Sequence, residues 1–125
     1  MNIIKILFLL YFIQNPYDIT PFDAIKKITN HDNNIFLIDV RTKEELDEIK
    51  IDGVINIDFY SDEFKNYLLK LDKYKTYYLI CRSGRRSGIA TSFMRDNGFK
   101  DVYNIKGGMM EWQNSNLSLE IKKGH

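Results

Sequence analysis

A chain of 125 residues with 44% hydrophobic content has enough material for one domain with a real core and too little for two. Charged residues make up 28% and the net charge is +1, so disorder, a broad nucleic-acid surface and a polybasic membrane anchor lack a compositional basis. A single cysteine excludes an internal disulfide and a cysteine-based zinc cluster.

The chain opens with "MNIIKILFLLYFIQNPYD", whose apolar run Ile6–Ile13 follows Lys5. A bilayer span needs about 20 such residues, so no stable membrane span is expected here. The run has the length of the apolar region of a secretory signal, which favours export. The basic region is thin and no small-x-small cleavage pattern follows, so the other reading is a docked segment of a cytoplasmic protein. Residues 1–15 are therefore set apart as an apolar N-terminal segment, and residues 16–125 as one domain.

In "DITPFDAIKKI", Thr20 is placed to cap a helix, with Pro21 at its first position and Asp23 in its first turn. Phe22, Ile25 and Ile28 recur at helical spacing. "HDNN" breaks the pattern, which puts His31 in a loop; His125 is terminal. Ile35–Val40, "IFLIDV", reads as a strand covered on both faces. Thr42 and Glu45 form a capping-box pattern that starts a brief helix. Gly53–Phe59 reads as another strand. A helix follows with Ser61 as cap and Phe64, Leu68 and Leu71 on one face.

Thr76–Cys81, "TYYLIC", is a third strand of aromatic and aliphatic residues. A helix is expected from Ser87, with Ile89, Phe93 and Met94 apolar and Gly98 as its stop. "DVYNI" is a last strand, and "GGMMEWQNS" a turn into a short helix carrying Trp112. This alternation argues for an α/β sandwich around a mostly parallel sheet, in which ligands gather at the carboxyl ends of strands. Cys81 and Asp39 both sit at such ends.

The loop after Cys81 is "CRSGRRS". A strand–loop–helix turn with Gly84 in its middle can aim successive backbone N–H groups inward as an anion nest. The start of the next helix points at the same place. Arg82, Arg85 and Arg86 add full charges. All three effects favour thiolate, and sites of this kind lower a thiol pKa from about 8.5 to about 3.5–7.5. The plainer reading, a buried cysteine acting as a small hydrophobe, does not account for the arginines or the glycine. Arg86, against the helix start, is placed to brace the loop or clamp an anion.

The chain from Tyr17 to Trp112 strongly resembles the rhodanese family of sulfurtransferases in its small single-domain form. Three motifs carry the resemblance: "LIDVRTKEELDEIKIDGVINI", "CRSGRRS" and "IKGGMMEW". The chain departs from the first motif at Ile49-Lys50, where the family usually has Gly-His, and at Asp52, where proline is frequent. These positions concern local loop shape. The resemblance implies a three-layer sandwich with a mostly parallel five-stranded sheet and helices on both faces.

It also implies a sulfurtransferase in which Cys81 takes a sulfane sulfur from thiosulfate or a similar anion and holds it as a persulfide. A thiophilic acceptor then receives it: cyanide, a small thiol or a protein thiol. The loop residues Arg82, Ser83, Gly84, Arg85, Arg86 and Ser87 would bind the substrate. Asp39 and Arg41 would pair as support, Asn56 would bond backbone nearby, and Gly107 and Gly108 would allow positive φ at a tight turn. No metal or organic cofactor is implied. The Cys81–Arg86 spacing, C-x4-R, is one residue shorter than in the related phosphatases and arsenate reductases, and the smaller ring suits a persulfide sulfur better than a tetrahedral phosphate. The alternative from the residues is a persulfide carrier loaded by a partner, with little thiosulfate turnover.

Overall fold

Five parallel strands, β1 (Asp18–Ile19), β2 (Ile35–Asp39), β3 (Ile55–Asn56), β4 (Thr76–Ile80) and β5 (Val102–Ile105), form one sheet in the order β1-β5-β4-β2-β3. The structure is a computed structural model and describes residues 2–4, 15–30 and 34–121. The apolar run Ile6–Ile13, His31 and His125 lie outside the described residues. No described helix is long and apolar enough to cross a membrane.

Alternation along the strands builds two cores. Ile38, Tyr77 and Leu79 face one side, where α3 (Phe64–Leu69) and α4 (Arg85–Asp96) bring Phe64, Leu68, Ala90 and Met94. Leu37, Tyr78 and Ile80 face the other, where α1 (Pro21–Thr29) and α5 (Gly108–Asn114) bring Ala24, Ile28, Met109 and Trp112. A strand covered on both faces has no reason to alternate polar residues, and β2 and β4 carry almost none. The three-layer sandwich follows.

The local signals hold at several ends. Thr20 Oγ1 accepts from the Asp23 N–H at 3.1 Å, with Pro21 at the first helical position. Thr42 and Glu45 close a complete capping box on α2 (Lys43–Glu48). Elsewhere the chain differs from the sequence expectation. Phe22 is 60% exposed, because α1 turns Pro21, Ala24 and Ile28 inward instead. The strand expected over Gly53–Phe59 is regular only at Ile55–Asn56, since Gly53 has φ +83° and β3 is a sheet edge. Its continuation still hydrogen-bonds β2 and Val40, through Ile57 N–H to Asp39 O and Phe59 N–H to Val40 O. Ser61 does not cap α3 directly: it tightens the turn before it, and Glu63 is the capping residue. Helix α4 begins at Arg85, two residues early, because Gly84 at φ +99° turns the chain into it. On α4, Met94 is buried but Ile89 is 50% exposed.

The turn before α5 fixes the end of β4. Gly107 and Gly108 have φ +76° and +59°. The Met109 N–H donates to Cys81 O at 2.8 Å and the Met110 N–H to Arg82 O at 3.1 Å. A Cβ on Gly108 would lie 2.3 Å from Cys81 O and 2.6 Å from Arg82 O. Only a bare backbone approaches so closely.

Gly108→Ala should therefore cost at least about 2 kcal/mol from the left-handed backbone and the collision together. Gly53→Ala is the control: φ is +83° but nothing lies within 4 Å of the added carbon, so only the backbone cost of about 1–2 kcal/mol applies. Urea unfolding of both variants measures the difference, and equal losses would show that the grip on the two carbonyls is loose.

Candidate active site

Cys81 directly follows β4, a strand covered on both faces, and the chain continues away from the sheet through Arg82, Ser83 and Gly84. The residue is 1% exposed, with its side chain inside the α3–α4 core and its sulfur under the loop. The sulfur is met by donors. The Gly84 N–H donates to Sγ at 3.1 Å, and Ser87 Oγ lies 3.2 Å away. Ser83 and Ser87 add their backbone N–H groups. Burial is the largest single influence on the thiol and pushes its pKa up. The Ser87 side chain and the N–H groups of Ser87, Gly84 and Ser83 act the other way and together bring it below the ordinary thiol value.

The arginines take separate places. Arg82 and Arg85 are exposed, and neither forms an ion pair among the described residues. Water at such positions weakens their field at the sulfur, and no arginine is among the leading influences on the thiol. Arg86 is nearly buried and donates Nη1 and Nη2 to the two Glu45 carboxylate oxygens at 2.8 and 2.9 Å. Hydrogen bonding to Arg86 is the main reason that the Glu45 carboxyl is lowered to about 2. The Tyr60 ring centre lies 5.7 Å from the Arg86 guanidinium carbon.

Asp39 and Arg41 form a buried ion pair, with Arg41 Nη2 at 2.9 Å from Asp39 Oδ2 and Nε at 3.1 Å from both oxygens. Arg41 also donates to Ile49 O at 2.8 Å, and Asn56 Nδ2 donates to Asp39 O and Arg41 O at 2.9 Å each. This cluster shapes the segment after β2. The link from that segment to the cysteine loop is the Glu45–Arg86 pair.

Two residues of the site were not singled out as such in the sequence. Glu45 reads there only as a helix cap. Asn104 lies one residue before the end of β5, between Tyr103 and Ile105; its Nδ2 donates to Gly84 O at 3.1 Å, and its Oδ1 accepts from Ser87 Oγ at 2.6 Å. A polar residue near the carboxyl end of a covered strand is the one sequence signal that could have found it. A depression of about 660 Å³ lined by Ile19, Lys26, Tyr78 and Tyr103 also includes Thr76 and Asp101, so it opens at the other end of the strands, away from Cys81.

The family model for the rhodanese-like domain matches residues 22–115. YtwF of Bacillus subtilis, whose name assigns it provisionally to the sulfurtransferases, is 39% identical over 90 residues, covering 72% of this chain and 84% of that protein. YrkF of the same organism, named provisionally as a sulfur carrier protein, is 36% identical over 90 residues; the match takes 72% of this chain and only 48% of YrkF. The crystal structure of a rhodanese-related protein from Thermoplasma volcanium has a TM-score of 0.70 at 27% identity, over 81% of this chain and 94% of that one. The fold, the motif order and these matches agree, and the chain belongs to the rhodanese-like domain family.

Proposed function

We propose that the chain is a sulfurtransferase that carries sulfane sulfur as a persulfide on Cys81. The observation that carries this reading is the ring of donors around a solitary thiol: the Gly84 N–H, the Ser83 and Ser87 N–H groups and the Ser87 hydroxyl, which together overcome burial. A thiolate is the nucleophile that sulfur transfer needs. The membership of the family and a relative named for sulfur transfer support the same conclusion.

The Cys81 thiolate attacks the outer sulfur of thiosulfate. A new S–S bond forms at Cys81, the S–S bond of the donor breaks, and its electron pair leaves with sulfite. A thiophilic acceptor then attacks the outer sulfur of the persulfide and the Cys81 thiolate returns. The two half-reactions predict ping-pong kinetics. Arg82 and Arg85, exposed at the mouth of the loop, are suited to the anionic donor. Arg86, committed to Glu45, braces the loop from below. The six-residue loop from Cys81 to Arg86 favours a sulfur atom over a phosphate group.

The burial of Cys81, which is 1% exposed, favours a second reading. A sulfur so covered suits loading by a fitted partner protein, as in a carrier. Intact-mass measurement after thiosulfate treatment separates the two: a gain of about 32 Da, one sulfur atom as persulfide, with thiosulfate alone supports the enzyme, and a gain only with a partner supports the carrier.

Cys81→Ser should abolish transfer from thiosulfate to cyanide and leave the thermal midpoint close to native; retained transfer removes Cys81 as the carrier. Arg85→Ala should raise the thiosulfate KM about 3–10-fold with little change in stability, and an unchanged KM takes Arg85 out of donor binding. The Glu45 carboxyl, lowered to about 2 from 4.5 in the fold, contributes stability that is present above about pH 4.5 and lost as pH falls toward 2. Glu45→Gln should be less stable than native at pH 7, with the difference shrinking between pH 4.5 and 2 in parallel denaturation curves.

A further inference from the structure

Ser87 Oγ stands between two atoms that both ask for its hydrogen. Asn104 Oδ1 is 2.6 Å away and Cys81 Sγ is 3.2 Å away. A hydroxyl carries one hydrogen and two lone pairs. The Asn104 amide cannot turn its NH2 toward Ser87 instead, because Nδ2 is held by Gly84 O at 3.1 Å and Asp18 Oδ1 at 3.4 Å. Oδ1, an acceptor only, therefore faces Ser87. Serine and asparagine are both buried, so no bulk water relieves the competition.

We propose that Asn104 is a positioning residue that sets the direction of the Ser87 hydroxyl and thereby governs the proton of Cys81. With Cys81 as a thiol, every group is satisfied: S–H donates to Ser87 Oγ, and Ser87 O–H donates to Asn104 Oδ1. When Cys81 ionises, its proton leaves to solvent and the Ser87 hydroxyl rotates about its Cβ–Oγ bond to donate to the sulfur. Asn104 Oδ1 then faces a bare oxygen at 2.6 Å. That conflict opposes ionisation, so Asn104 holds the resting thiol protonated longer than the N–H ring and the Ser87 hydroxyl would without it. The hydroxyl lowers the thiol pKa only in the rotated state.

The charged groups around the sulfur leave this balance local. On its own loop Arg82 and Arg85 are exposed. Arg86 of α4 is paired with Glu45 of α2, and Asp39 at the end of β2 is paired with Arg41. Asp18 of β1 meets the Asn104 amide, and Lys106 and Glu111, before and within α5, are exposed.

The functional meaning rests on Cys81 as the sulfur-bearing nucleophile, but the test does not. Cys81 is the only thiol in the chain, so iodoacetamide alkylation against pH reads its proton directly. Asn104→Leu should lower the alkylation midpoint by about 0.5–1 pH unit, a rate about 3–10-fold higher below it. Ser87→Ala should raise the midpoint, and adding Asn104→Leu to it should give no downward shift. A residue that merely braced the loop would act oppositely: its loss would loosen the N–H ring and raise the midpoint. A raised or unchanged midpoint in Asn104→Leu overturns the proposal. Should that variant fail to fold, the native protein still decides, because the Asn104 side-chain carbonyl carbon should titrate by NMR with the alkylation midpoint, and a flat profile overturns it equally. Neither readout requires sulfur transfer, which the cyanide assay on Cys81→Ser tests separately.

Discussion

Two backbone carbonyls decide the shape of this site. Once β4 ends, Cys81 O and Arg82 O have left the sheet and must find donors elsewhere, since a buried carbonyl without one is costly. They find them in the Met109 and Met110 N–H groups at the start of α5. That contact needs two chain segments at a separation no side chain permits, and Gly108 supplies it. With both carbonyls turned down toward α5, the next N–H groups turn up, and the loop becomes a ring of donors around the sulfur. The nest is thus a consequence of how its underside is tied.

Burial and hydrogen bonding oppose each other at Cys81. Taking a thiolate out of water is unfavourable, and here desolvation is the strongest single influence on the group. The Ser87 hydroxyl and the N–H groups outweigh it together, and the N–H donors, fixed by the helix start and the αL turn at Gly84, need little reorganisation when the thiol ionises. The arginines sit too far into solvent, or are too fully occupied by Glu45, to lead. Their charges are better suited to attracting an anion than to ionising the sulfur.

Most of the framework was legible in the residues. The covered strands β2 and β4 are written as apolar runs, and the capping patterns at Thr20 and Thr42 mark helix starts directly. Strand β1, two residues long, is too short to show any periodicity; the residues showed four strands, and the fifth entered only as the count that the family resemblance implies. Phe22 and Ile89 follow helical spacing yet remain exposed, because spacing identifies a stripe and not which side of it the sheet covers. The start of α4 was misplaced because Ser87 resembles a cap in sequence. Its hydroxyl is occupied by Cys81 and Asn104, and a left-handed glycine does the capping. Glu45 and Asn104 entered the site through contacts 41 and 17 residues away, which no local pattern encodes.

The donors that surround the sulfur come mostly from main chain, at Ser83, Gly84 and Ser87, whereas Arg82 and Arg85 present their side chains outward. Chemistry and recognition are therefore carried by different parts of the same six residues. Replacing an outward side chain leaves the amide geometry beneath it intact. A lineage descending from this scaffold is free to exchange one sulfur donor or recipient for another by mutation at the rim, with the reactive centre inherited unaltered.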